Sequence, residues 1–166
     1  FAISPRQPDV LGEDFSSRIY IRQVVATGRP FISPPFATRQ QHGHPILMFA
    51  TPVLDEEGQL LGIIGGSLDL LGSNFLGHLA NVRLGEGGYL YLYSTDRTMI
   101  VHPDLSRILK QDVPPGVNIL FDKAIDGFEG SGQTVNSRGL HAFSSFKRLA
   151  TTGWILAANF PVSEAL

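Results

Sequence analysis

The side chains that could do chemistry in this 166-residue chain are spread along it instead of forming a known catalytic motif. Aspartate and glutamate together number 15, but no close pair falls in a motif that positions a reacting group. The sequence lacks a nucleophile elbow, a phosphate-binding loop and a zinc-ligand pattern. The glycine-rich segment 85–88 precedes a predicted strand, so it cannot direct helix amides at a phosphate. The sequence therefore predicts that this chain is not an enzyme.

Histidine could supply a metal site instead. Of the five histidines, only His42 and His44 lie close together, and glycine and proline flank them. The chain has no cysteine, which excludes disulfides and thiolate ligands. A solvated loop is the favoured interpretation of the pair, and we predict neither a metal nor a cofactor. His44 remains a candidate for contact with a bound ligand.

Composition excludes several further classes of protein. A formal net charge of −2 and a pI near 6.2 give no basic footprint for nucleic acid. The longest apolar tract, Leu60–Leu71, is interrupted by glycines and Asp69, and it is shorter than the ~20 residues that span a bilayer. Because the chain begins without methionine, we expect an excised segment whose membrane anchors lie outside it.

A tyrosine-rich hairpin is the clearest predicted element. Tyr89, Tyr91 and Tyr93 fall on one face of a strand because successive side chains alternate between faces. Polar residues at 94–97 favour a turn, and Thr98–His102 is the returning strand.

Other segments follow the same logic. A helix beginning near Asp14 should end at Gly28, and Asp69 should cap a helix that ends near Arg83. The remaining predictions are strands over 46–50, 60–68, 133–136, 141–149 and 154–160, and a helix over 118–125. The predicted fold class is α+β.

Three groups of segments resemble the double Cache sensor domain, the PAS-like extracytoplasmic module of bacterial transmembrane receptors. They are 17–20 with 27–33, 52–58 with 61–70, and 88–104 with 152–156. The resemblance implies PAS-like antiparallel sheets with flanking helices. It implies the C-terminal part of a distal module at 1–70, a linking helix at 71–84 and a complete membrane-proximal module at 85–166.

The resemblance also implies a ligand site. Amino-acid-binding members hold the ligand carboxylate with an arginine and an aromatic residue two positions later, and Arg18 and Tyr20 match them. A guanidinium fork suits a carboxylate because two N–H donors meet two oxygens. Those members place an aspartate where this chain has the neutral Ser67, which favours a small carboxylate over an amino acid. The alternative for Arg18 is an ion pair with Asp14 on the same helix.

Four further residues complete the set of candidates. His44 and Asp69 are predicted to join the distal site, and Tyr91 and His102 form a possible proximal pocket. The structural alternative for His102 is that a histidine before a proline caps the turn.

These expectations combine into one functional hypothesis. The chain is the periplasmic or extracellular ligand-sensing domain of a bacterial inner-membrane receptor, a histidine kinase or diguanylate cyclase. It should bind a small organic ligand, dimerise with a second copy in the intact receptor, and transmit a conformational signal through flanking membrane segments. The alternatives are a chemoreceptor sensor domain, a dimerisation or interaction module that binds no ligand, and, third, a small soluble enzyme.

Overall fold

The computed structural model describes residues 12–38 and 43–165, and contacts divide the chain into two compact units. One unit comprises residues up to Ser33 with Met48–Gly66, and the other comprises Pro34–Leu47 with Ser67–Leu166. The helices are α1 (Ile19–Thr27), α2 (Phe75–Asn81) and α3 (Ile119–Ile125). The strands are β1 (Phe31–Ile32), β2 (Phe36–Ala37), β3 (Pro45–Leu54), β4 (Leu60–Asp69), β5 (Arg83–Leu84), β6 (Gly88–Tyr93), β7 (Met99–Val101), β8 (Gly130–Val135), β9 (His141–Arg148) and β10 (Ile155–Pro161). The predicted α+β class is confirmed.

Helix α1 of the first unit ends where the sequence predicts. Gly28 adopts the left-handed conformation with φ 62°, which glycine tolerates without steric penalty, and its N–H bonds to the Val24 carbonyl. The predicted start at Asp14 is wrong, because the carboxylate of that residue bonds to Ser16 and the helix begins only at Ile19.

The turn between β3 and β4 is built by Asp55 and Gly58. The Asp55 carboxylate accepts the N–H of Gln59 at 2.7 Å, and Gly58 has φ 79°. Strand β4 nevertheless leaves large apolar side chains exposed, with Leu61 at 69% and Ile64 at 63% of their maximal accessibility.

A six-stranded antiparallel sheet forms the framework of the second unit, in the order β5-β6-β10-β9-β8 with β7 paired to β6. The predicted hairpin is confirmed as β6 and β7. Tyr91 and Tyr93 enter a core with Phe121 of α3 and Phe146 of β9. Leu92 on the opposite face of β6 is also fully buried, so this strand is covered on both sides.

Asparagines, not aspartates, cap helices α2 and α3 of the second unit. The Asn74 side chain accepts the Gly77 N–H at 2.8 Å and starts α2, and Asn118 does the same for α3. The predicted cap at Asp69 is wrong, because one oxygen of that carboxylate accepts the Leu71 N–H in the turn that precedes α2. No helix among the described residues is long and apolar enough to cross a membrane.

Candidate functional site

In the first unit, Arg18 directly precedes α1 and is half-buried. Its guanidinium carbon lies 5.9 Å from the centroid of the Phe15 ring. Tyr20 is 8% exposed, and burial raises its pKa although the charge of Arg18 acts to lower it. The alternative pairing of Arg18 with Asp14 is wrong, since the Asp14 carboxylate accepts both the N–H and the hydroxyl of Ser16 at 2.8 and 2.9 Å.

In the second unit, the structure brings two of the predicted residues together. His44 Nδ1 lies 2.7 Å from Asp69 Oδ2. Burial acts to raise the pKa of Asp69, but hydrogen bonds from His44 and the Leu71 N–H hold it below its ordinary value. Ser67 is exposed on β4. A single site that joins these residues to Arg18 stays a prediction.

The second unit also contains a cavity of about 10 Å³, which is the size of one water molecule. Tyr91 and His102, the two predicted proximal residues, both line it. An open cleft of about 500 Å³ lies beside it, and the two spaces share Tyr89, His102 and Asn136 as walls. A large outer cleft therefore adjoins a small buried void at the same imidazole.

Strands β6 and β7 bring the rings of this cavity together. His102 follows β7 directly, and Pro103 ends the strand. The Tyr89 ring meets the imidazole edge-on at a centroid distance of 5.3 Å, and the Tyr91 ring lies at 6.2 Å. The next residue, Asp104, caps a short 3₁₀ turn by accepting the Ser106 N–H at 3.1 Å.

Arg107, at the end of that turn, is 7% exposed, and its Nη2 donates to the Ser137 hydroxyl oxygen at 3.4 Å. Its Nε and Nη2 donate to the two oxygens of Asp112 at 2.7 and 2.8 Å. These hydrogen bonds raise the pKa of Arg107 and lower the pKa of Asp112. The other amino group, Nη1, lies 3.1 Å from His102 Nε2. The fork is therefore fixed by Asp112, and its Nη1 group faces the imidazole.

His102 is held from its other side by the backbone. Its Nδ1 accepts the N–H of Asp104 at 2.9 Å, so the structural alternative for this residue is confirmed. Burial, followed by the charges of Arg107 and Arg138, lowers the pKa of His102 to about 4. The imidazole is therefore neutral at neutral pH.

An amide on β10 controls the tyrosine hydroxyl. Asn159 lies opposite Ser144 of β9 and accepts its hydroxyl proton at 2.6 Å. The amide nitrogen then donates to the Tyr89 hydroxyl oxygen at 3.0 Å. Because this oxygen accepts from the amide, its own proton is available to another acceptor.

Two further buried asparagines contribute to the cavity wall. The Asn118 oxygen accepts the Phe121 N–H and the Thr134 hydroxyl, and the Asn136 oxygen accepts the N–H groups of Arg138 and Leu140. Both amide oxygens are used, which leaves the NH₂ ends as donors.

The sequence predicted Tyr91 and His102 as site residues but did not predict their polar neighbours. Asn159 could have been found, because it shares a strand face with Ile155 and Ala157, where a polar residue is unexpected. Arg107 gave no such signal, since it lies in a short turn. Among the described residues, no group of three or more His, Cys, Asp or Glu side chains could hold a metal ion.

The family model described as Cache domain (dCache_1) matches residues 2–166. The chain belongs to the Cache domain family. Domains of this family are extracytoplasmic ligand-binding modules of receptors, and they are not catalytic. The match covers both units.

Relatives of this Cache domain include a receptor and two solved sensor domains. The methyl-accepting chemotaxis protein PctB of Pseudomonas aeruginosa is 27% identical over 150 residues, which cover 89% of this chain and 23% of PctB. The ligand-binding domain of the P. aeruginosa amino acid chemoreceptor PctC in complex with GABA is 26% identical, with a TM-score of 0.68. That alignment covers 95% of this chain and 67% of the PctC chain.

The extracellular domain of a protein described as a histidine kinase, mmHK1S-Z3, has a TM-score of 0.72 at 20% identity. The alignment covers 90% of this chain and 55% of that one, and it shows a shared fold. This chain therefore spans only part of the length of its relatives.

Proposed function

We propose that this Cache domain is the extracytoplasmic sensing part of a bacterial inner-membrane receptor and that it binds a small organic ligand. The observation that carries the proposal is the family match over residues 2–166. Residues 1–70 would be the distal module, 71–84 the link and 85–166 the proximal module. A ligand with different affinities for two arrangements of the domain shifts their populations, and this shift is the signal.

We propose a carboxylate as the chemical class of the ligand at Arg18. The guanidinium is half-buried and does not pair with Asp14, so its donors suit a planar oxyanion. Tyr20 lies buried two residues later on α1. The neutral Ser67 stands where amino-acid-binding relatives are expected to carry an aspartate. Loss of that charge favours carboxylates without an α-ammonium group.

We infer a chemoreceptor as the output class and keep a histidine kinase or diguanylate cyclase as the alternative. The similarity to a methyl-accepting chemotaxis protein supports this choice, and a dimer is the expected state of the intact receptor. The encoding gene tests the membrane part of the proposal. Apolar segments of ~20 residues on both sides would support it, and direct fusion to a soluble enzyme would contradict it.

The binding experiment is thermal unfolding with a panel of acetate, lactate, succinate and 4-aminobutyrate, with ethylamine as the cationic control. A ligand that binds only the native state raises the Tm. Arg18→Ala should reduce the shift, whereas Arg22→Ala, an exposed arginine one turn later on α1, should keep it in full. A shift that survives Arg18→Ala unchanged would refute the arginine site.

The second candidate function is an interaction module, favoured by the exposed Leu61 and Ile64 on β4. A silent panel together with a concentration-dependent dimer in analytical ultracentrifugation would support this candidate over the sensor.

A further inference from the structure

The imidazole of His102 meets a hydrogen-bond donor at each of its two ring nitrogens. The Asp104 N–H points at Nδ1 and the Arg107 Nη1 group at Nε2. A neutral imidazole has one acceptor nitrogen and one N–H, and arginine can only donate. With Nδ1 accepting from the backbone, the proton is on Nε2. Two donors then face each other across 3.1 Å. An oxygen that accepts from both would resolve this mismatch.

The neighbouring groups supply more donors than acceptors. Tyr89 has a hydroxyl proton to give, because its oxygen accepts from Asn159. Asn118 and Asn136 have used their amide oxygens, and within the described chain their NH₂ groups form no hydrogen bond. Asp112 lies on the Nε and Nη2 side of the guanidinium, where its two oxygens accept from those groups. The cavity therefore favours a ligand atom that only accepts hydrogen bonds.

The charged side chains around the cavity and the cleft also favour an anionic ligand. The two spaces are lined by Arg83, Arg107 and Arg138 and by Asp104, and Asp112 neutralises one arginine. Asp104 pairs with Arg138 at the rim of the cleft. One positive charge in this group of five therefore lacks a carboxylate, and a monoanion would balance it.

The inner void has room for one oxygen atom, and the adjoining cleft has room for the organic part of a small acid. The inner void holds about 10 Å³, enough for one oxygen atom beside His102 and Arg107. The adjoining cleft, at about 500 Å³, falls within the ~300–1,000 Å³ range of small-molecule sites. Leu140 adds an apolar wall to the cleft.

We propose that the second unit has a binding site of its own for a small carboxylate, with one carboxylate oxygen accepting from His102 Nε2 and Arg107 Nη1. The organic part of the acid lies in the cleft beside Tyr89 and Arg138. This site goes beyond the proposed function, since it does not involve Arg18.

The binding test is calorimetric titration of the 166-residue chain with acetate, lactate and succinate, run on the Arg18→Ala background so that the first site is silent. His102→Gln places a side-chain amide oxygen near Arg107, where it can accept the hydrogen bond that the carboxylate would otherwise accept. We expect it to weaken binding by about tenfold or more, the loss expected for one charge-assisted hydrogen bond. Lys147→Ala removes an exposed cation paired with Glu129 in the same unit and should leave the affinity unchanged.

The unmodified protein gives a second test that does not depend on a variant. In ¹⁵N-histidine NMR, the His102 signals, assigned by their loss in His102→Gln, should show the Nε2–H tautomer. Acetate should shift the Nε2 resonance and leave Nδ1 nearly unchanged. If none of the three acids shifts Nε2 at millimolar concentration, the void holds water only and the proposal fails.

The two proposals fail separately. A carboxylate-induced rise in Tm that depends on Arg18 but not on His102 supports the sensor proposal and overturns the second site. A rise that depends on His102 alone supports the second site and overturns the carboxylate site at Arg18.

Discussion

Acidification should destabilise this domain through His102. Its pKa is about 4 in the folded protein, against an ordinary value of 6.5. Between these values the unfolded chain binds a proton that the folded chain does not. The stability that the neutral imidazole contributes is therefore fully present above the unfolded pKa, and it is lost as the pH falls towards the folded one. We expect a fall of about 2 kcal/mol in the free energy of unfolding from about pH 7 to about pH 5, and about 3 kcal/mol in all.

Other groups around the imidazole do not titrate in this window. Hydrogen bonds to Asp112 raise the pKa of Arg107, and burial raises the pKa of Tyr91, so Arg107 stays charged and Tyr91 stays neutral. Asp104 has its pKa lowered to about 2, chiefly by hydrogen bonds from Ser106 and Arg138, and the pKa of Asp112 is also lowered. Both aspartates therefore lose their contribution only below their unfolded value of 3.8. The change above ~pH 4.5 is assigned to histidine.

Urea unfolding at the two pH values measures the effect, in a cationic buffer because a carboxylate would occupy the proposed site. His102→Gln should remove most of the fall, and His141→Gln, an exposed histidine on β9, should keep it. Equal stability of the unmodified protein at both pH values would refute the buried neutral imidazole. An unchanged fall in His102→Gln would show that another group is responsible.

Two further predictions concern packing in the same unit. Tyr93 is fully buried and its hydroxyl has no hydrogen-bond partner in the described chain, so Tyr93→Phe should raise the free energy of unfolding by up to ~1–3 kcal/mol. Tyr89→Phe removes the hydrogen bond from Asn159 and should lower that free energy by ~1 kcal/mol. Urea midpoints compare the two variants, and a destabilised Tyr93→Phe would contradict this account. A Cβ on Gly88 would clash with the Leu84 carbonyl oxygen, so Gly88→Ala should lower the free energy of unfolding by ~1–3 kcal/mol or more. Gly62 has open space around it, so Gly62→Ala should change stability little. Equal thermal midpoints for the two variants would refute the clash.

The sequence predicted the second unit well wherever local patterns decide the structure. The alternation of Tyr89, Tyr91 and Tyr93 and the proline at 103 correctly gave β6, β7 and their turn. Asn118 also marks the true start of α3, because a side-chain cap acts within one turn of its own position.

Patterns failed where a residue had two possible partners. Asp69 is a good cap by type, but its carboxylate is taken by His44 and the turn that follows β4, and Asn74 caps α2 instead. Strand β4 is apolar in composition, yet Leu61 and Ile64 are exposed, because composition does not say which elements pack against a strand. The contact between the Arg107 guanidinium and the His102 imidazole depends on a short 3₁₀ turn and could not be predicted from the spacing of these residues in the sequence.

At the proposed second site, stability and binding depend on the same atoms. Buried donors without acceptors reduce the stability of a fold, and a neutral His102 facing Arg107 is such a case. An apolar set of side chains would pack the void without this penalty. A carboxylate oxygen that completes these hydrogen bonds stabilises the folded state as it binds. The bound state should therefore differ from the free state first at β7 and the turn ending at Arg107, which makes this segment the place where occupancy can bias the conformation of the second unit.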